Sequence, residues 1–118
     1  MAGLTTHILD TAHGCPAAGV TIDLGRVSTD GSCVWVKSVI TNADGRCDAP
    51  LLSPDVAEVG IWRLRFAIGD YFRRRGVVLP EPAFVDIVHI DFGLANPSEH
   101  YHVPLLVSPF SYSTYRGS

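Results

Sequence analysis

A two-residue alternation of apolar and polar side chains, broken by turn residues at roughly eight- to twelve-residue intervals, runs through most of this chain. Successive side chains of a strand point to opposite faces, so this period fits half-buried strands and not a helical stripe. The clearest case is Trp62, Leu64, Phe66 and Ile68 alternating with Arg63, Arg65 and Ala67, the pattern of a strand with one wet face. Leu4 to Asp10 alternates too, with Leu4, Thr6 and Ile8 on one face and Thr5, His7 and Leu9 on the other. Val20, Ile22 and Leu24 mark a second strand and Val34 to Asn42 a third. The third closes on Asp44-Gly45, a dipeptide that hairpin turns prefer, which gives Arg46 a defined position just after the turn. Phe84 to Phe92 alternates again, with Phe84, Val88, Ile90 and Phe92 on one face and Val85, Ile87 and His89 on the other. Val103 to Val107 reads as a buried strand, Ser108-Pro109 as a turn, and the Ser- and Thr-rich segment with Phe110, Tyr112 and Tyr115 as the last strand. Ser53-Pro54-Asp55 has room for no more than a helical turn before Gly60. Asp70 to Arg75 is the one expected helix, with Asp70 as its cap and Gly76 as its stop. Seven or eight short strands with one short helix predict an all-β sandwich.

The 118 residues are expected to form one domain, 1–118, without repeat or linker. A chain of this length buries roughly two-thirds of its unfolded surface. Its 47% hydrophobic content against 18% charged content leaves apolar surface for a second subunit to cover. The formal net charge of −3 argues against nucleic acid and anionic membrane as partners, because phosphate binding needs a basic field. No apolar run reaches the ~18 residues that a spanning helix needs, and Met1 to Thr11 lacks the basic and apolar regions of a secretory signal. Cys15, Cys33 and Cys47 form no CxxC pair; an odd, scattered set fits reduced, packed thiols and a cytoplasmic protein, or a peroxisomal one if the source is eukaryotic.

Candidate chemistry centres on histidine. His100-x-His102 puts two imidazoles on one face of a strand, a spacing that can chelate zinc or copper, but no cysteine or carboxylate sits at ligand spacing to complete a site. His13, His89 and His100 read as surface or hydrogen-bonded imidazoles. His7 and His102 lie inside expected strands beside apolar neighbours, so each has a fixed direction. Imidazole is the side chain best matched to proton transfer near neutral pH. Two of them with an arginine for an anionic substrate suffice to activate a water. Arg73-Arg74-Arg75 reads as a solvated helix face. No nucleophile elbow, phosphate loop or dinucleotide fingerprint is present.

Three segments carry a family resemblance: T-H-I-L-D-T-A-H-G-C-P-A at 6–17, T-N-A-D-G-R at 41–46 and Y-H-V-P-L-L-V-S-P-F-S-Y-S-T-Y-R-G-S at 101–118. On these the chain resembles the transthyretin-related family, and within it the 5-hydroxyisourate hydrolases. The Y-R-G-S tetrapeptide at 115–118 is the most specific mark, and transthyretin itself lacks it together with the catalytic histidines and arginine. The resemblance implies a transthyretin-like two-sheet β-sandwich, assembled as a homotetramer with active sites in the channel between dimers. It implies catalytic His7, Arg46, His102 and Ser118, with His7, Arg46, Tyr115 and Arg116 binding substrate, and no metal or organic cofactor. The implied reaction is hydrolysis of 5-hydroxyisourate to 2-oxo-4-hydroxy-4-carboxy-5-ureidoimidazoline in urate breakdown. Two alternatives come from other classes: a transthyretin-like carrier of a small ligand without catalysis, and a metal-binding sandwich using His100 and His102.

Overall fold

The structure is a computed structural model and describes residues 3–117. The strands are β1 (Gly3–Asp10), β2 (Cys15–Pro16), β3 (Thr21–Val27), β4 (Cys33–Ile40), β5 (Gly60–Ala67), β6 (Ile87–Leu94), β7 (His100–Ser108) and β8 (Ser111–Thr114), with α1 (Ile68–Arg74) between β5 and β6. They form two four-stranded sheets, ordered β2-β1-β7-β8 and β4-β3-β5-β6. The expected all-β two-sheet sandwich with one short helix is the fold.

Alternation puts one set of side chains between the sheets. Leu4 and Ile8 of β1 and Tyr101, Val103, Leu105 and Val107 of β7 meet Ile22 and Leu24 of β3 and Trp62, Leu64 and Phe66 of β5, all buried. Fully burying a side chain of this size contributes about 1.5–3 kcal/mol, so this layer dominates the fold's stability. One carboxylate is buried with it: Asp10 is 1% exposed. Its Oδ1 accepts from the backbone N–H groups of Ala12 and His13 at 3.0 Å each, and its Oδ2 accepts from the Tyr71 hydroxyl at 2.8 Å and pairs with His13 Nδ1 at 2.6 Å. Burial alone would raise the Asp10 pKa, but these donors together outweigh it and hold the carboxyl below its ordinary range. The same pairing, added to burial, pushes the Tyr71 phenol upward.

Local departures from the sequence expectations have local causes. Ile68 leaves the β5 alternation and opens α1, because its N–H and that of Gly69 both donate to Asp86 O at 3.0 and 2.9 Å. The helix N-cap is therefore Ala67, without a side-chain cap, and Asp70 sits inside the first turn. Gly76, at φ +84°, ends the helix as expected, in a conformation other residues adopt at a cost. Residues 53–55 form a turn and no helix. Phe84 lies outside β6 and is 76% exposed, so it does not share the buried face of Val88 and Ile90. Two proline-rich turns later, β6 begins only at Ile87. Cys15–Pro16 adds the two-residue strand β2 against β1.

Candidate active site

β1 and β7 run parallel as the two central strands of their sheet, with Thr5 opposite His102 and His7 opposite Pro104. Because Leu4, Thr6 and Ile8 face the core, Thr5 and His7 face outward. On β7 the core set is Tyr101, Val103 and Leu105, so His100 and His102 face outward too. Four polar side chains from sequence-distant segments thus share one patch on the outer face of the sheet.

Arg46 reaches this patch by a turn and not by a hairpin strand. Asn42 N–H donates to Arg46 O at 2.8 Å and Gly45 N–H to Asn42 O at 2.9 Å, while Asn42 Oδ1 accepts from the N–H groups of Asp44 and Arg46. Gly45 O then accepts from Ile8 N–H at 2.9 Å, and His7 forms an isolated antiparallel bridge with Arg46. Gly45 is needed here twice over: its φ is +72°, and a Cβ would stand 2.5 Å from Ile8 O. Arg26, Arg63, Arg65, Arg73 and Arg116 each pair with an acidic side chain. Among the described residues Arg46 has no such partner, and the residue is exposed, its backbone bridged to His7. A shallow pocket of about 170 Å³ adjoins it, lined by Thr5, Thr6, Arg46, Cys47 and Pro50 among others.

His102 is half-buried and held from two sides. Its Nδ1 lies 2.8 Å from Thr5 Oγ1. Gly117 crosses its ring: Gly117 N–H donates to His102 O at 2.7 Å, and a Cβ on Gly117 would stand 2.6 Å from the ring Cδ2. Burial, then the charge of Arg46, then those of His100 and His7, hold the His102 pKa below its ordinary value. Each of these causes disfavours the charged form of the imidazole.

The structure brings His7, Arg46 and His102 together. His100, read from sequence as a surface or hydrogen-bonded imidazole, joins them: its Nε2 lies 2.9 Å from the same Thr5 Oγ1. That Thr5 links His100 to His102 follows from strand register, which no local motif announces. Tyr115 and Arg116 lie elsewhere, on a cleft of about 380 Å³ between the β6 and β8 edges that Ile90, Phe92, Tyr101 and Val103 also line. Arg116 bonds Glu99 Oε1 at 2.9 Å and His100 O at 3.2 Å and covers the Tyr101 ring. Ser118 lies outside the described residues. His13 is engaged with Asp10, and His89 faces outward from the other sheet. No group of three or more His, Cys, Asp or Glu among the described residues is arranged to hold a metal ion.

Two imidazoles and a guanidinium without an acidic partner among the described residues share a strand surface suited to proton transfer beside a carbonyl group, on a two-sheet sandwich. The sequence profile of the HIUase/Transthyretin family matches residues 4–117, and the chain belongs to that family. It is 60% identical over 116 residues to the 5-hydroxyisourate hydrolase of Mesorhizobium japonicum, covering 98% of this chain and 91% of that one. Among solved structures, (S)-allantoin synthase superposes with a TM-score of 0.91 at 44% identity, over 99% of this chain and 44% of that longer one. Sea bream transthyretin in complex with thyroxine superposes at 0.85 with 27% identity, over 98% of this chain and 95% of that one. No helix among the described residues is long and apolar enough to cross a membrane.

Proposed function

We propose that this chain is an enzyme that hydrolyses 5-hydroxyisourate, with His7, Arg46 and His102 as its working residues. The single observation that carries the assignment of the site is Arg46: a cation without an acidic partner among the described residues, fixed by a rigid turn beside two imidazoles. The hydrolase relative at 60% identity over nearly the whole chain supports the substrate.

In this reading the substrate's activated cyclic amide lies over the outer face of β1 and β7. His102, kept neutral, takes a proton as water adds to the carbonyl carbon, with His7 orienting the water. The carbonyl oxygen becomes an oxyanion against the Arg46 guanidinium. The C–N bond then breaks, the protonated imidazole returns its proton to the leaving nitrogen, and the ring-opened carboxylate departs. Arg46 stabilises the charge that develops, and removing one such donor typically costs about 10²–10³ in kcat. Tyr115 and Arg116 stand on a separate cleft and take no part in this step. The two imidazoles and the guanidinium supply proton transfer and charge, so the reading invokes no cofactor.

The same reading makes the protein a single-domain subunit of a cytoplasmic homotetramer whose sites face a channel between dimers. Support comes from uncovered apolar surface: Phe84 and Phe110 are exposed with tilted rings, centroids 6.2 Å apart, and Tyr112 of β8 is exposed too. A carrier would take its ligand without turnover, and an arginine beside imidazoles, without an acidic partner among the described residues, is not what an apolar ligand needs.

The test is the decay of 5-hydroxyisourate, generated in place by urate oxidase and followed by absorbance, with and without this protein and its Arg46→Ala variant. Accelerated decay that is lost in the variant is the expected result. Acceleration that survives in the variant moves the site, and none at all from the folded protein leaves the carrier.

A further inference from the structure

One hydroxyl lies between two imidazoles. Thr5 Oγ1 is 2.9 Å from His100 Nε2 and 2.8 Å from His102 Nδ1, both true hydrogen-bond distances. A hydroxyl has a single hydrogen to donate and lone pairs to accept. Thr5 therefore cannot donate to both rings, so at least one ring donates to it, and a relay needs Thr5 to accept from one ring and donate to the other. Two arrangements satisfy this. In the first, His102 carries its proton on Nδ1 and gives it to Thr5, Thr5 donates to a bare His100 Nε2, and His102 Nε2 is left with a free lone pair. In the second, every one of these bonds is reversed and His102 carries its proton on Nε2.

The surroundings favour keeping positive charge off His102. Facing its ring are Arg46 from the turn after β4, His7 and Thr5 from β1, His100 from its own strand and Gly117 from the C-terminal segment. Of these Arg46 has no acidic partner among the described residues. Arg116, the other nearby cation, is turned away toward Glu99 and the His100 carbonyl. A second cation on His102 would be crowded by Arg46, whereas one on His100 lies a hydrogen-bond chain further from it.

We propose that Thr5 and His100 are positioning residues that form a proton relay to His102, presenting its Nε2 as the base and drawing the positive charge outward to His100. The inference rests on the hydrolase reading. As water attacks, its proton goes to His102 Nε2, the Nδ1 proton passes to Thr5 Oγ1, and the Thr5 hydroxyl proton passes to His100 Nε2. His102 ends neutral with its proton on Nε2, and His100 ends as the cation. When the C–N bond breaks, His102 Nε2–H protonates the leaving nitrogen and the two other protons step back, so the cycle closes with none gained or lost. Gly117, packed on Cδ2, holds the ring in the plane that this chain of bonds requires.

The test couples ring nitrogen NMR on the ¹⁵N-histidine-labelled protein to kinetics of Thr5→Val, Thr5→Ser and His100→Gln. Wild-type His102 should show the proton on Nδ1, and His100 a bare Nε2, at neutral pH without substrate. Thr5→Val, which has the same shape, should move it to Nε2 and lower kcat about 10²-fold, the scale of a lost general base, with KM within about twofold. Thr5→Ser, which keeps the hydroxyl, should restore both. His100→Gln should keep the NMR tautomer through its amide yet lower kcat, because an amide cannot hold the relayed proton. An Nε2 proton on wild-type His102, or a Thr5→Val enzyme as fast as wild type, overturns the relay. Absence of turnover by the wild type overturns the hydrolase reading instead, and the tautomer measurement, which needs no substrate, still decides the Thr5 assignment.

Discussion

Replacing Gly117 by alanine tests the site's geometry through one methyl group. Gly117 has no left-handed backbone angle, so alanine is compatible with its conformation and its N–H can still donate to His102 O. The added Cβ would stand 2.6 Å from His102 Cδ2, 3.3 Å from Cγ and 3.5 Å from Cβ. Ordinary contact begins at 3.4 Å, so the edge of the ring must give way by 3.4 − 2.6, about 0.8 Å. Thr5 restrains that movement on the opposite side through Nδ1. A misplacement of about 1 Å in a reacting group can cost about 10²-fold in rate. Gly117→Ala should therefore lower kcat by one to two orders of magnitude, on the order of 1.4–2.7 kcal/mol in the barrier. The residue is half-buried in a peripheral segment, so the thermal midpoint should move little. Initial rates of 5-hydroxyisourate decay and a thermal melt on the same preparation measure both. A variant with wild-type kcat would refute the claim that the His102 ring is clamped in its working position by this contact.

Asp10→Asn puts an amide donor where Tyr71 and His13 already donate, and should cost about 2–4 kcal/mol of stability, read as a lower midpoint in urea. Because the Asp10 pKa is depressed on folding, its contribution is complete above the unfolded carboxyl value and is lost as pH falls through the folded one. Gly45→Ala meets both a positive φ and the Ile8 carbonyl; it should destabilise by roughly 1–3 kcal/mol and reduce activity by displacing Arg46, seen as a raised KM and lowered kcat. The His102 titration, followed by ring NMR, should have its midpoint below 6.5, and Arg46→Gln should move it upward, since the Arg46 charge is the second cause of the depression after burial. In this case the unfolded histidine takes its proton first as pH falls, so the group's effect is to destabilise the fold in acid. A wild-type midpoint at or above 6.5, or one that Arg46→Gln leaves in place, would show that the guanidinium is not where the geometry has it.

The sheets were legible because a period of two survives any tertiary context in which one face of a strand is buried. Trp62, Leu64 and Phe66 are buried and Arg63 and Arg65 are wet, as their order demands. Ile68 was misread for the same reason: it continues the apolar series, and only the carbonyl of Asp86, distant in sequence, turns the chain into α1 at that point. Phe84 continues the series of Val88 and Ile90 in spacing, but strand pairing with β5 begins at Ile87. At the site, His7, Arg46 and His102 were legible from residue type, a turn signal and resemblance. His100 was not, since its meaning lies in a threonine 95 residues away in sequence. That contact exists because β1 and β7 pair in parallel, and a parallel partner is never the neighbour a hairpin would supply.

That parallel pair also fixes when the site comes into being. His7 belongs to the first strand and His102 to the seventh, so almost every other element must be in place before the two imidazoles share a surface. Closing so long a loop is entropically costly and slow, and partial chains have none of its reward. A ribosome that has delivered the first hundred residues has delivered most of the sandwich and no catalyst. In the proposed reading a chain that stops before β7 lacks His102 and is silent, whatever fraction of the core it manages to fold.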